Sequence, residues 1–255
     1  MSAHDFIEMT IRDGIATITL NDPATLNSLN PAMMEAFLTA LTDCERGSDA
    51  DAIIVTGAGR GFCSGANLTS EIVDMRDGAF EEWINEQLNP LASRIASSPL
   101  PVIAAVNGPA AGAGCSLALV CDLIVCSASA EFILSFGKIG VAMDLGASWT
   151  LMRSIGLHRA RHLAMLGTAL DAAMAKDWGL ALEIFPDGAL LEGARKIGSE
   201  MLARSTSPAL AAMKRQFGFA ANSTLDATLE YEAKVQAELV LTDESRTLID
   251  SFGKG

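Results

Sequence analysis

The chain has 255 residues, half of them hydrophobic and 19% charged, which excludes a disordered polyelectrolyte and fits one large core with an appendage. A net charge of −13 argues against a nucleic-acid-binding surface. The five cysteines (Cys44, Cys63, Cys115, Cys121, Cys126) form no CxxC pair and sit mostly in apolar runs, as expected for reduced thiols of a cytoplasmic protein. The initial MSAHDFIEM has neither a basic run nor a long apolar one, so no signal peptide is expected.

Ile7, Met9 and Ile11 alternate with polar residues, and Ala16, Ile18 and Leu20 do so again after Asp13-Gly14, which predicts a β-hairpin. Asn30 before Pro31 predicts a capped helix with Met34, Phe37, Leu38 and Leu41 on its apolar face. Apolar runs predict strands at 52–56, 101–106, 122–126 and 131–134, with helices between them, hence an α/β core. Leu100 to Leu134 is the most apolar stretch. Asn107-Gly108-Pro109, Gly112, Gly114 and Asp122 break it, and no run reaches the roughly 20 residues of a membrane span. No strand is expected after Leu180–Phe185. Helical patterning covers 187–204, 207–221, 224–240 and 242–252, so the chain divides into a core, 1–190, and a helical C-terminal region, 191–255.

Two glycine-rich turns follow strands and lead into helices: TGAGRGFCSGANL, from Thr56, and NGPAAGAGCSLAL, from Asn107. Such turns let backbone N–H groups approach a ligand closely, and two of them suggest two donors converging on one oxygen. Both begin G-x-G-x-x but lack the third glycine of a dinucleotide fingerprint. No P-loop and no G-x-S-x-G occurs. His158 and His162 read as a helix-surface pair flanked by Arg159 and Arg161 rather than as metal ligands, and no metal site is expected. Carboxylates remain. Asp122 reads as a buried cap at the start of a strand, Glu131 as solvated, and Asp144 as either the N-cap of a helix over 145–155 or a catalyst.

Taken together, these segments resemble the crotonase superfamily, the enoyl-CoA hydratase/isomerase family, over essentially the whole chain. PATLNSLN (23–30) is similar to its first CoA-contacting loop, and FCSGANL (62–68) to its first oxyanion segment. VNGPAAGAGCSLALVCDLIV (106–125) is similar to the second oxyanion segment, and AEFILSFGKIGVAMDLGASWTLMRSIG (130–156) to the active-site stretch. LARSTSPALAAMKR (202–215) resembles a later helix of the family. The resemblance implies a spiral of ββα turns and C-terminal helices that build homotrimers or homohexamers. It implies an acyl-CoA thioester as substrate, coenzyme A being part of that substrate and no other cofactor being needed.

The oxyanion donors implied are the N–H groups of Ala66 and Ala113. Ala24, Leu26, Cys63, Asn67 and Leu68 fall where the family lines the CoA path, with Asn67 replacing the usual aspartate. Ser116 and Phe136 stand where hydratases of the family carry two glutamates, and both are expected to face the substrate. That departure favours moving a double bond with one base, Asp144, whose pKa burial would raise. The dehalogenase branch also places an aspartate at Asp144, but Phe136 and Asn89 replace its tryptophan and histidine. Hydration, aryl-CoA ring isomerisation, dehalogenase-like activity and an inert acyl-CoA-binding homologue remain the alternatives.

Overall fold

The computed structural model describes residues 6–47, 49–67 and 78–252, so Leu68 lies outside the described residues. Asp13 and Gly14 both take positive φ, 53° and 74°, and form the tight turn between β1 (Ile7–Arg12) and β2 (Ile15–Leu20). Helix α1 (Pro31–Arg46) is capped as expected, the Asn30 side chain accepting from the Met33 N–H at 2.9 Å. It leads to β3 (Ala52–Gly57), which pairs in parallel with β2 and is buried along its whole length. Helix α2 (Ala79–Trp83) runs through a π-turn at Ile84–Leu88 into α3 (Asn89–Ser97).

A repeated unit follows. In it come β4 (Val102–Val106), β5 (Pro109–Ala111) and α4 (Ala113–Val120), then β6 (Leu123–Ser127) and β7 (Glu131–Ile133). A 3-10 turn at Phe136–Ile139 precedes α5 (Ala147–Ile155) and α6 (Leu157–Leu166). β8 (Ala169–Asp171), α7 (Ala172–Asp177) and β9 (Glu183–Phe185) complete the winding. Successive units feed two sheets, one ordered β1-β2-β3-β4-β6-β9 and one ordered β5-β7-β8. The larger sheet is parallel apart from β1. This is the crotonase-like spiral.

The three-residue strands β5 and β8 were not expected from the sequence, being too short to show alternation. The apolar stretch resolves into strands and a short helix, and no described helix is long and apolar enough to cross a membrane.

The main core lies between the sheets and α1, α3, α4 and α5, around Phe37, Phe62 and Phe132. The other face of the large sheet buries Ile15, Ile54, Ile103 and Val125 under Leu190 and Ala194 of α8 (Leu190–Arg204). The division expected at residue 190 therefore falls at the first residue of a helix packed on the sheet. Beyond it lie α9 (Ser207–Ala220), α10 (Leu225–Val240) and α11 (Asp243–Phe252). Lys214 of α9 fastens this region to the core through Asp122 at 2.7 Å and the Leu100 carbonyl at 3.2 Å. Phe217, Leu225 and Leu229 remain exposed.

Candidate active site

The two glycine turns are stitched together through their backbones. The Phe62 N–H donates to the Pro109 carbonyl at 3.0 Å, and the Ala111 N–H donates to the Cys63 carbonyl at 2.9 Å. This approach requires glycine. A Cβ at Gly114 would meet the Cys63 carbonyl oxygen at 2.2 Å, and one at Gly65 would lie 2.8 Å from the Ala111 oxygen and 3.2 Å from the Ala113 nitrogen. Two asparagine amides hold the first turn open. Asn27, fully buried at φ 58°, donates to the carbonyls of Ala58, Gly61 and Phe62 and accepts from the Asp22 N–H. Asn107 donates to Gly59 and Gly61 and accepts from the Gly57 N–H at 3.0 Å. Neither asparagine stood out in the sequence; their signal is an Asx-type amide beside each loop, visible only once the loops are adjacent.

Ala66 bridges Leu29 in parallel, and the bonds of that bridge use Gly65 O, Asn67 N and both backbone groups of Leu29, leaving the Ala66 N–H turned away. Ala113 is the first residue of α4, so its N–H has no acceptor within the helix, and the positive end of the helix dipole adds to it. Among the described residues neither N–H has a hydrogen-bond partner. Both alanines line one cavity of about 290 Å³. Its walls include Phe80, Trp83, Ile84 and Leu88 from α2 and the π-turn, and Phe136, Ile139, Val141 and Met143 from the loop after β7.

Asp144 is the one carboxylate lining this cavity among the described residues. It does not cap a helix. The N-cap of α5 is Gly146, with no side-chain bond, and the Asp144 Oδ1 instead accepts from the Ser116 hydroxyl at 3.2 Å. Leu145 and Gly146 both take positive φ, 47° and 75°, and this left-handed pair puts the helix start beyond reach of the Asp144 carboxylate. A buried leucine in that region is strained, and the strain sits beside the acid. Burial pushes the Asp144 pKa up to about 6, although the Ser116 hydroxyl pulls it down.

The other expected site residues separate into two groups. Phe136 is buried in the cavity wall, as expected. Ala24 lies in a turn at Pro23–Thr25 that Leu26 ends, tied to the first glycine turn by the Ser64 N–H and hydroxyl; Asn67 is exposed. Cys63 and Ser116 require a correction. Both side chains are fully buried and neither lines the cavity. Burial pushes the Cys63 thiol up to about 12, so it stays protonated and the residue works through its backbone.

Asp122 accepts from the Val102 N–H at 2.7 Å, as a cap at a strand start, and Glu131 is exposed at the head of β7. His158 and His162 are exposed on α6, with His162 edge-on to Trp178. Asn89 bonds Asn85 and does not line the cavity.

Two N–H groups from separate turns, without partners among the described residues, and a half-buried acid therefore line one largely apolar cavity, an arrangement chemically suited to an oxyanion beside a proton acceptor. The chain matches the enoyl-CoA hydratase/isomerase family model over residues 10–254, and it belongs to that family of acyl-CoA enzymes. It is 37% identical over 234 residues to the 1,2-epoxyphenylacetyl-CoA isomerase of Escherichia coli K12, covering 91% of this chain and 89% of the relative. It is 32% identical over 238 residues to the 2,3-dehydroadipyl-CoA hydratase of the same organism, covering 93% of this chain and 91% of the relative. The crystal structure of an enoyl-CoA hydratase from Polaromonas sp. JS666 superposes with a TM-score of 0.88 at 32% identity, covering 97% of both chains.

Proposed function

We propose that this enzyme shifts the double bond of a 3-enoyl-CoA to the 2-position, with Asp144, the one carboxylate of the cavity among the described residues, as its acid–base group. The observation that carries this reading is the pairing of one half-buried carboxylate with the N–H groups of Ala66 and Ala113, which have no partner among the described residues, in a single cavity. The thioester carbonyl oxygen accepts from both N–H groups. Asp144 takes a proton from C2, the electron pair moves onto the thioester oxygen as a dienolate, and the same proton returns at C4. Each oxyanion donor is worth roughly 2.7–4 kcal/mol in such a transition state. A carboxylate with a pKa near 6 is a stronger base than an ordinary aspartate and is still largely ionised at neutral pH. Hydration fits less well, since a second group must orient and activate water where Ser116 and Phe136 stand.

A second reading, isomerisation of an aryl-CoA ring, is favoured by one observation. Phe80 and Trp83 of the cavity wall stack at 5.9 Å and offer an aromatic surface to the acyl group. The C-terminal helices, with Phe217, Leu225 and Leu229 exposed, suit assembly into a trimer or hexamer.

Turnover of a panel of CoA thioesters (3-enoyl, 2-enoyl, epoxyphenylacetyl and halobenzoyl) at one protein concentration tests the reading. The 3-enoyl-CoA is expected to react fastest. Faster hydration of the 2-enoyl-CoA would overturn the proposal, and faster conversion of the epoxyphenylacetyl-CoA would replace it with the second reading.

A further inference from the structure

We propose that Ser116 is a positioning residue whose single hydroxyl proton couples the Asp144 carboxylate to the peptide that supplies the second oxyanion donor. The inference rests on the single-acid reading above. Ser116 is fully buried in the first turn of α4 and does not line the cavity, so it does not touch the substrate. Its Oγ lies 3.2 Å from Asp144 Oδ1 and 3.3 Å from the Gly112 carbonyl oxygen. A hydroxyl has one proton and can donate to only one of these acceptors at a time.

The two acceptors have different consequences. While Asp144 is ionised, the charge-assisted bond to Oδ1 is the stronger one. It fixes the plane of the carboxylate and leaves Oδ2 to receive the C2 proton. Once Asp144 is protonated its pull on the hydroxyl falls, and the proton of Ser116 swings to the Gly112 carbonyl. That carbonyl belongs to the same peptide unit as the Ala113 N–H. A hydrogen bond to its oxygen polarises the unit and makes the N–H a better donor, at the moment when the thioester oxygen carries negative charge. No covalent bond of Ser116 changes, and the hydroxyl only rotates. Among the described residues no charged group acts on Asp144; the titratable neighbour it influences is the Cys63 thiol, which stays neutral. The alternative is a helix serine bonding its i−4 carbonyl, with no part in turnover.

Ser116→Ala and Asp144→Asn, assayed on the 3-enoyl-CoA across pH, separate these roles. Ser116→Ala is expected to lower kcat at least about tenfold with KM within about twofold, because ground-state contacts are untouched. Its acid limb in kcat/KM is expected to move to higher pH than in the wild type, since a donor to the carboxylate is gone. A purely structural serine would change Tm and leave the limb and kcat in place, and that result overturns the proposal. Full activity in Asp144→Asn would instead overturn the single-acid reading and this inference with it. An inactive Asp144→Asn beside a Ser116→Ala enzyme of wild-type kcat and pH profile would overturn this inference alone.

Discussion

The two sides of the cavity are built in opposite ways. The side proposed to hold the oxyanion is backbone, held by two asparagine amides and by cross-turn bonds from Phe62 and Ala111. Its glycines are needed because another backbone occupies the place of a side chain. The acid side is one side chain on a left-handed loop, Leu145-Gly146, with open space around the glycine. A donor made of peptide groups needs rigid packing and little chemical identity, so in the proposed role alanine would suffice at Ala66 and Ala113. A base needs one particular side chain and a loop that keeps it from being spent on a helix cap.

Glycine-to-alanine substitutions sharpen this contrast. Gly114→Ala is expected to be the most damaging, since its Cβ would meet the Cys63 carbonyl oxygen at 2.2 Å and the carbonyl carbon at 2.7 Å. The turns must part, which is expected to cost more than about 4 kcal/mol in chemical unfolding and to remove turnover with it. Gly146→Ala meets nothing within 4 Å and suffers only from its φ of 75°. Its expected cost is about 1–2 kcal/mol, the usual penalty for a left-handed alanine, with turnover reduced far less than in Gly114→Ala. If denaturation midpoints place the two variants side by side, the two sides of the cavity are not built as differently as described.

Much of this was legible in the sequence. The Asp13-Gly14 hairpin, the Asn30 cap and the buried strands follow from residue types with strong local preferences. Ala66, Ala113, Phe136 and Asp144 were also placed in advance, and the structure gathers them at one cavity. What escaped was non-local or strained. β5 and β8 are too short to carry a pattern and exist because the spiral brings them beside β7. The N-cap alternative for Asp144 stayed open in the sequence because nothing in Leu145 announces a positive φ. Cys63 and Ser116 looked like substrate contacts because the chain passes the site there, although both side chains are fully buried and Ser116 reaches the cavity only through Asp144.

The most direct test is the substitution Asp144→Asn, measured for turnover on the 3-enoyl-CoA and for stability against pH. Turnover is expected to fall by roughly 10²–10⁴-fold, the range for losing general acid–base catalysis. Stability is expected to change in the opposite direction. The folded-state pKa of Asp144 is raised to about 6 from 3.8, so between those values the folded chain holds a proton that the unfolded chain has lost. Wild-type stability therefore falls as pH rises through that window, and above it the burial of the charge costs up to about 3 kcal/mol. Asparagine removes that cost, so the variant should be more stable than the wild type at pH 7 and lose this advantage near pH 4. An asparagine variant with full turnover, and with no gain in stability at neutral pH, would contradict the proposal that Asp144 is the half-buried base of this enzyme.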